Sequence, residues 1–150
     1  MNKKKIILLS VIAIILGLQF VQIDTKPLKI DPKHHLEQAI EVPDHIKIML
    51  DNACNNCHSA KTNYPWYSKI TVVALWLRGH VNGGRQHINF AEWGTYDNNK
   101  KIQKLGEIIE VLEQKRMPLK SYKMVHPEAR LSDEDYQSML IFFKNLQSQL

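Results

Sequence analysis

A chain of 150 residues that is 44% hydrophobic and 23% charged carries enough apolar material for one globular domain and an appendage. Its formal net charge is +5, but three lysines sit together at positions 3 to 5, so the remainder is only mildly basic. No basic stripe interleaved with aromatics and no nucleic-acid-binding motif accompanies that surplus, which excludes nucleic acid as an expected partner.

The appendage comes first. Asn2-Lys3-Lys4-Lys5 precedes an apolar run from Ile6 to Leu18, interrupted only by Ser10 and Gly17 and tapering through Gln19 to Ile23. Such a run reads as an export signal, and Gly17 to Gln22 offers no pair of small residues for cleavage, so an uncleaved anchor is expected. Ile6 to Ile23 is 18 residues, near the lower limit for a bilayer span. The lysines hold its N-terminal side in the cytoplasm and place the domain outside, on the periplasmic side of the membrane. Residues 1–23 are therefore a signal or anchor segment. Residues 24–43, punctuated by Pro27, Pro32 and Pro43, read as a tether in which a short helix over His34 to Ile40 is possible and the His34-His35 pair is solvated.

The domain is expected over residues 44–150. From Asp44, Ile46, Met49, Leu50 and Ala53 fall at the spacing of one buried helical stripe. This helix runs into Cys54-Asn55-Asn56-Cys57-His58, which gathers both cysteines of the chain into a C-x-x-C-H pentapeptide. That pattern is read as c-type haem attachment: two thiols one turn apart add to the two vinyl groups of one haem, and the adjacent imidazole ligates the iron. A thioredoxin-type site needs a strand before the motif, and the residues before Cys54 read as helix. A structural zinc site needs two further ligands, for which His80, His87 or His126 are available, but no second paired-ligand motif exists.

Beyond the motif, Asn63 and Pro65 mark a turn that carries Tyr64, Trp66 and Tyr67. Tyr64 and Trp66 are candidates to pack at the haem edge, where a propionate offers their polar atoms a partner. A helix from about Lys69 into Gly83-Gly84 is marked by Ile70, Val73, Ala74, Leu77 and Val81. Its Arg78 and Arg85 are candidate propionate partners, and the glycine pair either bends it or lets the backbone approach a flat cofactor. Asn89 to Asn99 reads as a loop with Phe90 and Trp93. Ile102, Leu105, Ile109 and Leu112 mark a further helix that stops near Met117-Pro118. The last helix begins at Ser132, with Asp135 completing an acidic capping box, Leu131 and Tyr136 as a hydrophobic staple, and Tyr136, Met139, Leu140 and Phe143 as buried stripe. No run alternates as a strand does, so the fold class is mainly α.

The occupant of the second axial position decides between electron transfer and small-molecule chemistry. Met117 is the expected ligand, placed at a helix end beside Pro118 and far enough from His58 along the chain to reach the opposite haem face. His80, His87, His126, Met124 and Met139 are its competitors.

The ordered series Cys54-x-x-Cys57-His58, Tyr64-Pro65-Trp66-Tyr67, His80-Val81-Asn82-x-Gly84-Arg85, Phe90-x-x-Trp93, Met117-Pro118 and His126-Pro127-Glu128-Ala129 resembles the bacterial haem-binding domain family of small exported proteins. The resemblance covers about Asp44 to Leu150. It implies a cytochrome c-like setting with Cys54 and Cys57 as attachment thiols, His58 as proximal ligand and Met117 as distal ligand. The longer segment between motif and Met117 departs from small cytochromes c. The expectation is a membrane-tethered mono-haem c-type cytochrome, one covalent haem c per chain, that carries electrons to a redox partner the sequence does not name. No catalytic triad, paired carboxylates or phosphate loop points to bond-making catalysis. Two alternatives require an open or weakly held distal position: a haem-based gas or redox sensor, and a peroxidase-like site in which His80 or His126 moves protons.

Overall fold

The computed structural model describes residues 2–19 and 28–150. Among them there is no strand, and the elements are helices α1 (Lys3–Leu18), α2 (Leu36–Ala39), α3 (Asp44–Ala53), α4 (Asn55–His58), α5 (Thr71–His87), α6 (Asn98–Glu113), α7 (Lys120–Val125) and α8 (Asp133–Ser148), joined by four short 3₁₀ segments.

The centre of the domain is α6 against α8. Leu105, Ile108, Ile109 and Leu112 on one, and Tyr136, Met139, Leu140, Phe143 and Leu146 on the other, are buried in a common core. Gln147 bonds Ile102 O at one end of the pair and Lys115 pairs with Asp133 at the other, so the two helices run antiparallel. Ile46 and Leu50 of α3 join this core, with Met49 packed at its margin. That anchors the helix leading into the cysteines.

The helix ends follow local chemistry. At α8 the Ser132 hydroxyl accepts from Asp135 N and the Asp135 carboxylate accepts from Ser132 N, the expected capping box. The end of α6 comes earlier than Met117-Pro118: Arg116 N donates to Val111 O, Lys115 N donates to Leu112 O, and Lys115 takes a φ of 50°. This is a Schellman stop with lysine where glycine is usual. α5 passes through Gly83 and Gly84 to His87, which keeps Arg78 and Arg85 on one helix.

Three expectations change. The segment from Asn89 is no open loop, because Phe90, Trp93 and Tyr96 are buried around a 3₁₀ turn over Phe90–Thr95. Residues 32–42, expected within a solvated tether, pack on that turn: His35, Leu36 and Val42 are buried, and a Cβ at Gly94 would lie 3.0 Å from His34 Cα. Apolar burial of Leu36 and Val42 outweighs the solvation of a short polar strip. Finally, the expected span over residues 6–23 runs past α1 into residues outside the described set. The 16 residues of α1 reach about 24 Å against a hydrocarbon thickness of roughly 30 Å, and among the described residues no helix is long and apolar enough to cross a membrane.

Candidate haem-attachment site

Cys54 is the junction of two helices. Its φ of −126° breaks α3, its N–H still donates to Leu50 O, and its carbonyl accepts from Cys57 N and His58 N to start α4. The two cysteines and the histidine therefore occupy one short turn. Neither cysteine is in a disulfide, and both are half-buried. Burial, with Cys57 and Asp51 nearby, pushes the Cys54 thiol up to about 12. Burial also raises Cys57, opposed by the Arg85 guanidinium.

The His58 ring centroid lies 6.2 Å from that of buried Phe90. Its Nδ1 is 3.2 Å from Ile88 O, and burial holds its pKa below the ordinary histidine value. A neutral ring that donates from Nδ1 to a carbonyl presents the Nε2 lone pair, the tautomer a metal-ligating imidazole needs.

α5 sits directly on the motif. A Cβ at Gly84 would be 2.8 Å from Cys57 O and 3.2 Å from both Cys57 C and Cβ, so only glycine permits this backbone approach. The glycine pair thus lets α5 meet the attachment helix itself. One residue on, Arg85 donates from Nε to Ser59 O and from a terminal nitrogen to Thr62 Oγ1, both at 2.9 Å. Arg85 fixes the chain leaving the motif. Ser59 is fully buried, its hydroxyl donating to Asn55 O and accepting from Lys61 N.

Asn55 and Asn56 hold the other side. Asn55 Nδ2 donates to Asp51 and to Glu37, and Glu37 pairs with Lys61 at 2.8 Å, which ties the region around α2 to the attachment turn. Asn56 Nδ2 donates to the Tyr122 hydroxyl at 2.7 Å. Beside Cys57 lies a narrow gap of about 10 Å³ whose walls include Pro65, Tyr67, Val81, Tyr122 and His126. At its mouth the Tyr67 hydroxyl is 2.7 Å from His126 Nε2, Glu128 Oε1 is 2.8 Å from His126 Nδ1, and Tyr122 stacks on the His126 ring at 4.3 Å. A larger depression lined by Asp51, Asn52, Lys61 and Asn63 is polar and charged, the wrong surface for an apolar macrocycle.

The remaining candidates fall as follows. Met117 is half-buried in the connection from α6 to α7, where its carbonyl accepts from the Tyr136 hydroxyl at 2.9 Å. Tyr136 is buried in the core against which Cys54 packs. Tyr64 is half-buried, Trp66 is 75% exposed, and Arg78 is exposed. Of the competitors, Met139 is buried core and Met124 is 77% exposed. His126 has both ring nitrogens engaged, His80 Nδ1 is 2.9 Å from Trp76 O, and His87 is exposed at the end of α5. Among the described residues no group of three or more His, Cys, Asp or Glu is placed to hold a metal ion, so the further ligands a zinc site needs are not gathered at Cys54 and Cys57.

The family described as a haem-binding domain matches residues 13–145. The chain belongs to the haem-binding domain family. Membership supports haem as the cofactor, and the match reaches well upstream of Asp44, in keeping with the burial of His35, Leu36 and Val42. No curated protein and no solved structure matches the chain. The donor set fits the group: two unpaired thiols on one turn and an imidazole held in the ligating tautomer. Sequence reasoning missed the Tyr67–His126–Glu128 chain, the approach of Gly84 to Cys57 and the role of Arg85. All of these residues lie in the ordered motif series, which marks them as important without saying what each touches.

Proposed function

We propose that this haem-binding domain is a mono-haem c-type cytochrome that carries one electron at a time outside the cytoplasmic membrane. Cys54 and Cys57 would hold the haem covalently, and His58 and Met117 would ligate its iron. The observation that carries the reading is His58: its Nδ1 on Ile88 O leaves Nε2 for iron, one residue after an unpaired Cys57. Bound haem supplies reversible one-electron chemistry at iron, its potential set by axial ligation and burial. The chain's own residues hold and shield it. Arg85 and Gly84 lock the attachment turn against α5, and the buried Phe90 ring lies beside His58. The N-terminal apolar segment, α1 and the residues after it, tethers the domain to the membrane, and the partner is a second redox protein.

One observation favours an alternative. The Tyr67–His126–Glu128 chain beside Cys57 puts proton-transferring groups at the gap, as a haem-based sensor or peroxidase-like site with an open distal position needs. Oxidised and reduced absorption spectra of the exported protein and of Met117→Ala decide between them. Low-spin wild-type spectra with a long-wavelength thioether band, lost in Met117→Ala together with the block to carbon monoxide, support the electron carrier. Carbon monoxide binding by the wild type, with spectra unchanged in Met117→Ala, supports the open site.

A further inference from the structure

We infer that Trp66, Ile70, Val72, Leu75 and Trp76 form a face that docks the domain on an anionic lipid surface. Val72, Leu75 and Trp76 share one side of α5, opposite the buried Ala74 and Val81, and are 54%, 49% and 51% exposed. Ile70 and Trp66, 42% and 75% exposed, extend the face beyond the start of the helix. The same stripe continues at Gly79 and Gly83, where a Cβ would meet nothing within 4 Å, so the surface past Trp76 is flat and open. Contiguous exposed apolar side chains mark an interaction site. The two tryptophans on this face suit the boundary between headgroups and acyl chains.

Charge and position select lipid as the occupant. No Asp or Glu occurs between Asp51 and Glu92, while Lys61, Lys69, Arg78 and Arg85 fall in that interval. Lys61 and Arg85 are engaged with Glu37 and the 59–62 turn, which leaves exposed Lys69 and Arg78 at the rim to meet anionic headgroups. The end of the apolar helix is here too: Thr71 N donates to Gln19 Oε1 at 2.8 Å, bringing the residue after α1 to the first turn of α5. An α1 inserted in lipid therefore delivers this face to the headgroup layer. An acidic protein partner would match the charge but not the end of α1. The inference rests on the reading of the N-terminal segment as a membrane anchor and does not depend on how haem is ligated.

The test is hydroxyl-radical footprinting of the full haem-loaded chain on vesicles of phosphatidylcholine with phosphatidylglycerol, and on phosphatidylcholine alone, with sedimentation of the same samples. Met124, 77% exposed, is the reactive reference and buried Trp93 the protected one. The expected result is severalfold protection of Trp66 and Trp76 relative to Met124, stronger with phosphatidylglycerol and reduced by Lys69→Glu. If the chain sediments with vesicles while Trp66 and Trp76 stay as reactive as Met124, docking is overturned and anchoring stands. If it stays in the supernatant, both are overturned. Protection that depends on protein concentration rather than lipid, or appears only with a protease-sensitive extract component, assigns the face to a second copy or a protein partner and overturns the lipid assignment.

Discussion

Replacing Gly84 with alanine places one methyl group 2.8 Å from Cys57 O and 3.2 Å from Cys57 C and Cβ. Two of the three atoms are backbone, so no rotamer change relieves the contact, and α5 or the attachment turn must move by several tenths of an ångström. Overpacking of this kind costs about 1–3 kcal/mol, against a helix-propensity gain of roughly 1 kcal/mol for alanine over glycine. Gly83 is the internal control, because its Cβ would meet nothing within 4 Å and only the gain applies. Gly83→Ala is thus expected to be the more stable of the two by about 1–3 kcal/mol, a separation of roughly 3–9 °C in Tm for a domain of this size. Thermal unfolding followed by far-ultraviolet circular dichroism measures it, and covalent haem staining of the same preparations shows whether the displaced turn also accepts less haem. A Gly84→Ala protein as stable as Gly83→Ala, with equal haem content, would refute the close packing of α5 on the motif.

Further expectations follow from the same contacts. In the haem-free chain, burial raises both thiols and Cys54 to about 12; Cys57 therefore alkylates before Cys54 at mildly alkaline pH, and Arg85→Ala, which removes the cation opposing the Cys57 shift, slows its reaction. Arg85→Ala also frees Ser59 O and Thr62 Oγ1 and should cost roughly 2–3 kcal/mol by denaturant unfolding; an unchanged midpoint would show that the two bonds are not made. His35 accepts from Glu37 N through Nδ1, capping α2, and burial lowers its pKa below 6.5. The unfolded chain then binds the proton first, so the stability of the neutral ring is complete above about 6.5 and is lost as pH falls through the folded value. Unfolding midpoints across that range should fall with pH in the wild type and fall less in His35→Asn, which keeps a cap acceptor and cannot titrate.

What could be read from the chain divides by the range of the interactions. The capping box at Ser132, the stripe of α8 and the helix entering Cys54 depend on neighbours within a turn or two, and each is where the spacing predicts it. α6 stops short of Met117-Pro118 because Lys115 adopts the left-handed conformation usually left to glycine, with no residue type to announce it. Trp93 and Leu36 bury each other's neighbourhood across some sixty positions of chain, so a loop and a tether by composition become core by contact. Arg85 shows the same limit at the site. A cation near a haem motif suggests a propionate, yet its partners are Ser59 O and Thr62 Oγ1, which only the folded turn brings within reach.

The central claim is covalent attachment of haem through Cys54 and Cys57, and acid–acetone extraction followed by peptide mass mapping of the exported protein tests it most directly. The account predicts that haem resists extraction and remains on the peptide spanning Cys54 to His58, adding one haem mass per chain. Haem that extracts completely, leaving that peptide at its unmodified mass in a host with working attachment machinery, would contradict it.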